Sequence, residues 1–221
     1  MLSINNERTI YNFRLVKDRT AFSASEGLKE IGDFSESHIY PAGTELFEQG
    51  APAQGVYVIE QGLVKLTHLN QEGQELIIGL RSSGWLLGAT SVLLQCPHIV
   101  TAMTLNRCRA RAIPAHDFLH LLKTDTQISL YLHQMQSREV CEQFLHTAEL
   151  GCLSVQHRLE QLLWRLISAL EMSDTRQEAK LELPLKHSEI AQLLSVTPEH
   201  LSRVLKRMQL EGILRQEKGW L

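Results

Sequence analysis

The chain has 221 residues, 43% of them hydrophobic, and a formal net charge of -3 at neutral pH. That length can bury a sizeable core and suits two domains better than one. The acidic balance excludes a chain coated throughout for nucleic acid, and the basic part is the tail, where residues 186–221 carry six Lys or Arg against four Asp or Glu.

No apolar run approaches the roughly 18–20 residues of a membrane span, and the polar opening INNERTIYNFR is unlike a signal peptide. A cytoplasmic protein with no membrane partner is expected. Cys96, Cys108, Cys141 and Cys152 are scattered without a C-x-x-C pair, so they signal neither a zinc site nor a disulfide framework, and buried free thiols are expected.

From about 38 to 113 the chain reads as short strands cut by glycine. In LFEQGAPAQGVYVIEQGLVKLTHL an apolar run, Val56 to Ile59, lies between Gly50, Gly55 and Gly62, and alternation follows through Leu63, Val64, Lys65 and Leu66. Close spacing with turn signals, continued by Gly73, Gly84 and Gly88, predicts an antiparallel barrel or jelly roll. A long helical stretch follows, roughly 115–148, with a break near Thr124-Asp125. Ile128, Leu132 and Met135 share one face, and Val140 and Phe144 extend it imperfectly. By spacing alone this helix packs on its own barrel or pairs with a twin. Leu150-Gly151-Cys152-Leu153 is expected to end it, and Ser154 to cap a next helix whose stripe is Leu159, Leu162, Leu163, Leu166, Ile167 and Leu170.

The last section predicts a helix-turn-helix: HSEIAQLL over 187–194, a short Ser195-Val196 turn, and a second helix from Pro198. The Thr197 hydroxyl can accept from first-turn N–H groups, and proline suits the first helical position because its missing N–H would have no intrahelical partner. Leu201, Val204, Leu205 and Met208 then face inward. Glu199, His200, Ser202, Arg203, Lys206 and Arg207 are left outside. GILRQEKGWL reads as a β-ribbon turning at Lys218-Gly219, the wing of a winged helix.

Catalytic patterns are absent from the sequence. There is no H-x-H pair on the strands, where His38 and His68 stand alone; His116 and His120 are at i, i+4 without an evident third ligand; and no G-x-S-x-G or G-x-x-x-x-G-K occurs. A non-enzyme without a metal site is expected.

The run Leu46-Phe47-Glu48-Gln49-Gly50-Ala51-Pro52-Ala53, then Val56-Tyr57-Val58-Ile59 and Gly62, resembles the cyclic-nucleotide-binding signature of the Crp/Fnr family of bacterial transcription regulators. GWLLGATSVL, 84 to 93, resembles that family's ligand cradle, and LSVQHRLEQLL, 153 to 163, the opening of its DNA-binding domain. The resemblance spans nearly the whole chain. It implies an α+β fold: an N-terminal antiparallel β jelly-roll sensor (1–114), a dimerisation helix (115–150) and a C-terminal winged helix-turn-helix (151–221).

It further implies a homodimer seam through Ile128, Leu132, Met135 and Val140, and RNA polymerase as a partner. The effector pocket would be lined by Gly88, Ala89, Thr90, Val100, Thr101, Gln143 and Phe144. Cyclic-AMP binders of this family carry a glutamate where Ala89 stands and an arginine where Val100 stands, with Thr101 retained. A phosphate without a charged partner loses a strong contact, which disfavours cyclic AMP and leaves the effector unidentified. No cysteine precedes Cys96, so no iron–sulfur cluster is expected; haem stays open through His98 in the cradle segment.

On double-stranded DNA, the N-terminal residues of the second helix enter the major groove. There Glu199, Ser202 and Arg203 would read bases, arginine through guanine O6 and N7 and the carboxylate through cytosine N4. Lys186, His187, Ser188, Thr197, His200 and Lys206 would hold phosphates. The E-x-x-S-R pattern resembles the Fnr branch and implies inverted half-sites close to TTGAT. The cyclic-AMP branch has glycine where Ser202 stands and arginine where Pro198 stands, so TGTGA should be the poorer half-site. The alternative is a ligand-binding module that acts on protein partners without touching DNA.

Overall fold

The structure is a computed structural model that describes residues 2–4, 36–169 and 184–216. Two compact units divide the chain: Phe13–Glu142, and Gln143–Leu221 together with Met1–Asn12. Strand β1 (Leu2–Ile4) belongs to the second.

The first unit carries β2 (Ser37–Tyr40), β3 (Glu45–Phe47), β4 (Gly55–Gln61), β5 (Val64–Leu69), β6 (Glu75–Arg81), β7 (Leu86–Leu87), β8 (Thr101–Thr104) and β9 (Cys108–Pro114). They form two four-stranded antiparallel sheets, β2-β9-β4-β7 and β3-β8-β5-β6, the jelly-roll layout that the glycine-cut strands predict. The run Val56 to Ile59 is apolar throughout because β4 is covered on both faces. Ile59 turns into the barrel with Leu46, Val64, Leu66, Trp85 and Leu87, whereas Val56 and Val58 turn outward beneath helices. Period-two alternation puts neighbours on opposite faces, so a strand covered on both sides reads as one apolar run. Gly62 sits at φ 103°, and a Cβ there would meet the Cys108 Cα at 2.8 Å and the Arg107 carbonyl at 2.9 Å. Only glycine fits this approach of two backbones.

Helix α1 (Ala89–Leu94) follows β7, and α2 (Ala115–Thr124) follows β9. Asp125 breaks the chain at the expected place and caps the next helix, its carboxylate accepting from the N–H groups of Gln127 (2.8 Å) and Ile128 (3.1 Å). That helix, α3 (Thr126–Cys152), runs without interruption for 27 residues. It extends through Leu150-Gly151-Cys152, where the sequence predicts a stop, because Leu153 N–H still donates to Glu149 O at 2.9 Å. The division between the two units falls inside α3.

The dimer seam expected at Ile128, Leu132 and Met135 is corrected by the core. Ile128 is 1% exposed and Leu132 is buried with it, among Val56, Val58, Phe118 and Leu121 of their own protomer, and Met135 packs against the same cluster. Ile128 and Leu132, covered by their own barrel, have little surface left for a partner, whereas Met135 is half-buried. Of the expected seam residues only Val140 is exposed.

In the second unit α4 (Val155–Ala169) buries Leu159, Leu163, Leu166 and Ile167, as the apolar stripe predicts; Leu170 lies outside the described residues. Its N-terminus is capped by Ser154, whose Oγ accepts from His157 N–H at 3.3 Å. Helices α5 (His187–Leu193) and α6 (Pro198–Leu210) are joined by a tight turn in which Ser195 takes φ 52°. The expected Lys218-Gly219 turn is outside the described residues. Strand β10 (Leu214–Gln216) pairs antiparallel with β1, Leu2 opposite Gln216 and Ile4 opposite Leu214. The described partner of this strand is therefore the chain's N-terminal segment. No helix among the described residues is long and apolar enough to cross a membrane.

Candidate nucleic-acid interface and effector cradle

Helix α6 is organised by its first turn. Thr197 is in extended backbone geometry and its Oγ1 accepts from His200 N–H at 3.2 Å, with Pro198 at the first helical position. Leu201, Val204 and Met208 are buried, which fixes the helix's rotation and turns Glu199, His200, Ser202, Arg203, Lys206 and Arg207 to solvent. Three- and four-residue spacing sets Glu199, Ser202 and Arg203 side by side. The Glu199 carboxyl is held below the usual carboxylate range, first by the backbone N–H of Glu199 itself, then by the Thr197 hydroxyl, and also by the Arg203 charge. At neutral pH it is an acceptor only. Helix α5 lies against α6 here: Ser202 Oγ is 3.5 Å from His187 Nε2.

The start of α5 is pinned by Lys186 N–H donating to Glu189 Oε2 at 2.7 Å, which leaves the Lys186 and Ser188 side chains exposed beside half-buried His187. Glu199, Ser202 and Arg203 thus stand exposed in the first turns of α6, where Ser202 meets His187 and the cap joins Thr197 to His200, while Lys206 is exposed further along the helix.

The cradle differs. Gly88 precedes α1 at φ 83°, and a Cβ there would stand 3.0 Å from Gly55 O and 3.3 Å from His98 Cε1. Ala89 is buried in the core cluster beneath the helices, and Thr90 is exposed. Val100 packs against the barrel interior. Thr101 Oγ1 accepts from Gln49 N–H at 3.0 Å. Gln143 and Phe144, expected to close the pocket, are both exposed, Phe144 by 72%. Both belong to the second unit, whereas Gly88, Ala89, Thr90, Val100 and Thr101 belong to the first.

His98 is 4% exposed and stacked on Phe47, with ring centroids 4.0 Å apart and planes 16° from parallel. Its backbone is tied to the Gly50-Ala51 turn by Gly50 N–H to His98 O (2.7 Å) and His98 N–H to Ala51 O (2.9 Å). Burial holds its imidazole below the ordinary pKa, hence neutral, and Nδ1 has no hydrogen-bond partner. An axial haem ligand needs a ring nitrogen facing an open macrocycle face. Here His98 is almost fully covered, stacked on Phe47, and a Cβ on Gly88 would stand 3.3 Å from its Cε1, so the described structure leaves no open space beside the ring for a macrocycle.

A side-chain cluster that sequence reading missed joins β6, the turn after it and α3. The near-fully buried Arg81 donates through Nη2 to Glu139 Oε1 at 2.6 Å and through Nη1 to Leu80 O at 3.0 Å. Its guanidinium lies 4.5 Å from the Trp85 ring centroid, and that of Arg138 lies 5.0 Å from the same indole. Arg138 pairs in turn with Glu142 at 3.2 Å. Tyr131 donates to Gly84 O at 3.0 Å, and burial pushes its hydroxyl up to about 12, against the opposing charge of Arg138, so it stays protonated and a donor. A Cβ at Gly79 would stand 2.7 Å from Arg81 Nη1, so a larger residue there would displace the guanidinium. Arg81 and Glu139 are 58 residues apart, and no periodicity within either segment signals the pair.

Comparison with known proteins matches residues 37–125 to the cyclic nucleotide-binding domain family and residues 157–221 to the Crp-like helix-turn-helix domain family. The chain is similar to the cyclic AMP receptor protein of Thermus thermophilus, 27% identical over 186 residues covering 84% of this chain and 82% of that protein. It is also similar to the CRP-like protein Clp of Xanthomonas euvesicatoria, 26% identical over 181 residues, 79% of this chain and 78% of Clp. Among solved structures, the c-di-GMP-responsive global regulator Clp of Xanthomonas campestris superposes with a TM-score of 0.70 at 23% identity, covering 87% of this chain and 95% of that one. FixK2 of Bradyrhizobium japonicum also superposes at 0.70, with 21% identity over 84% of this chain and 89% of its own.

Proposed function

Because the chain belongs to the Crp/Fnr family of transcription regulators, with a cyclic nucleotide-binding domain followed by a Crp-like helix-turn-helix, we propose that it is a dimeric, sequence-specific DNA-binding regulator whose α6 reads inverted TTGAT-like half-sites. The carrying observation is the exposed trio Glu199, Ser202 and Arg203 on a helix held by a Thr197 cap and a buried Leu201, Val204, Met208 face. Arg203 donates two parallel bonds to guanine O6 and N7, and ionised Glu199 accepts from cytosine N4. Ser202 lies against the outer thymine. Lys186, His187, Ser188, Thr197, His200 and Lys206 hold phosphates and set register.

Two half-sites one helical turn, about 34 Å, apart require two copies related by a twofold axis. The seam belongs on the outward face of α3. Leu130, Gln134, Ser137, Cys141, Phe144 and Ala148 alternate at four- and three-residue steps, all exposed save half-exposed Gln134, opposite the face that covers the barrel. RNA polymerase is the partner on DNA.

The effector is not cyclic AMP. Its anionic phosphate would meet apolar Val100 where the family's cyclic-AMP binders carry arginine, leaving the Thr101 hydroxyl, which accepts from Gln49 N–H, as a neutral donor in place of a charged one. Calorimetric titration should show no micromolar binding of cyclic AMP, and such binding would reject this part. The DNA reading is tested by selection from a random duplex pool: inverted TTGAT-like repeats are expected, and a pool enriched in any other arrangement overturns the assignment of α6 as reader.

A further inference from the structure

The rotation of α3 about its axis decides which residues it offers to a second copy. In the first unit that rotation is set by buried Ile128, Tyr131 and Leu132, by Tyr131 bonded to Gly84 O, and by Arg81, which reaches Glu139 one side-chain layer further along the helix. Glu139 is some 200° around the helix from both Ser137 and Cys141, so fastening it to β6 turns the outward face away from the barrel.

Thr101 is bonded to Gln49, Ala89 is core, and His98 is stacked beneath Phe47. Arg81 is itself a cation inside protein, and Glu139 is the carboxylate bonded to its Nη2. Removing that carboxylate leaves a buried charge uncompensated, which favours withdrawal of Arg81 toward water and release of the helix. Trp85 supports the same arrangement, its indole lying 4.5 Å from the guanidinium of Arg81 in the barrel and 5.0 Å from that of Arg138 on α3.

We infer that Arg81, Trp85 and Glu139 are positioning residues for DNA binding: they hold α3 at its working rotation through the protein's own side chains, so that dimerisation and DNA recognition proceed without a bound small molecule. This deepens the DNA-binding reading above and rests on it.

The test uses the full chain, unfolded in guanidinium chloride, dialysed free of small molecules and refolded. Sedimentation and fluorescence anisotropy then follow dimerisation and affinity for an inverted TTGAT repeat and for a random duplex. The stripped chain should be dimeric and discriminate the two duplexes, with millimolar cyclic AMP or cyclic di-GMP leaving its affinity unchanged. A gain of about tenfold or more with either nucleotide, the size of ordinary allosteric coupling, overturns the inference and leaves the DNA reading standing.

Glu139→Gln should weaken dimerisation and specific DNA binding by about tenfold or more, and Glu139→Asp should restore most of the loss. Trp85→Phe, which keeps an aromatic core residue, should fall between them. Wild-type dimerisation in Glu139→Gln overturns the inference even if no duplex is ever discriminated. That last result would instead sink the DNA reading, so the two failures are distinguishable.

Discussion

In the barrel, Thr101 accepts from Gln49, Arg81 is neutralised by Glu139, and His98 lies stacked on Phe47, whereas on α6 the polar ends of Glu199, Ser202, Arg203 and Lys206 stand in solvent. Both regions carry charge and hydroxyl groups, but Arg81 and His98 are buried in their own protein, whereas the α6 side chains are exposed together on one face. Exchanging water for a ligand costs an exposed group little, whereas breaking an internal bond strands a buried donor or acceptor. At the cradle, Ala89 is part of one core cluster and Val100 packs against the other. Recognition must then be sought where polar groups are exposed together on a rigid element.

The comparison breaks most sharply along α3. Leu132→Asp places a charge in the barrel core and should destabilise the first unit by about 3–5 kcal/mol, whereas Phe144→Asp, on the exposed face, should leave its unfolding unchanged while making the protein monomeric. Urea denaturation paired with sedimentation checks both. A monomeric, fully stable Leu132→Asp would return the seam to the inner face.

On the reading helix, Arg203→Ala should cost about 1–3 kcal/mol on the specific duplex and little on random DNA. Lys206→Ala should instead weaken both and flatten the dependence of affinity on salt, because a phosphate contact releases counterions irrespective of sequence. Anisotropy titrations over a salt series separate the two, and equal losses of Arg203→Ala on both duplexes would remove its role as base reader.

Smaller in effect is Thr197→Ala. Without the Oγ1 acceptor for His200 N–H, α6 loses its cap, about 1 kcal/mol of the second unit's stability. Denaturant midpoints should move accordingly, and DNA affinity should fall with them.

The smallest expected effect concerns His98. Its folded pKa lies below its unfolded value because burial disfavours the charged ring, so the unfolded chain binds the proton more readily. The sign follows: its contribution is complete above the unfolded value, near 6.5, and is lost as pH falls from there toward the lowered folded pKa. Stability of the wild type should therefore drop more between neutral and mildly acidic pH than that of His98→Gln. Parallel drops in the two proteins would show that His98 is not the group responsible.

Much of this was legible in the sequence by itself. Glycines at strand ends, the double-sided apolar run of β4, the Thr197-Pro198 start of α6 and its buried Leu201, Val204, Met208 face are local patterns, since turn chemistry, capping and periodicity act over a few residues. The exposed trio on α6 followed from the same periodicity, because knowing which face is buried determines which is not. The tertiary structure alone decided which apolar face of α3 the barrel consumes: Ile128, Leu132 and Met135 have the same spacing whether they cover a barrel or a second helix, and only the outward Val56 and Val58 of β4 make the difference. It alone brought Arg81 of one strand against Glu139 of a helix 58 residues later, and Gln49 against Thr101. Such pairs depend on where chain segments meet in space, and hydrophobic packing, which is non-directional, settles that only when the whole core closes.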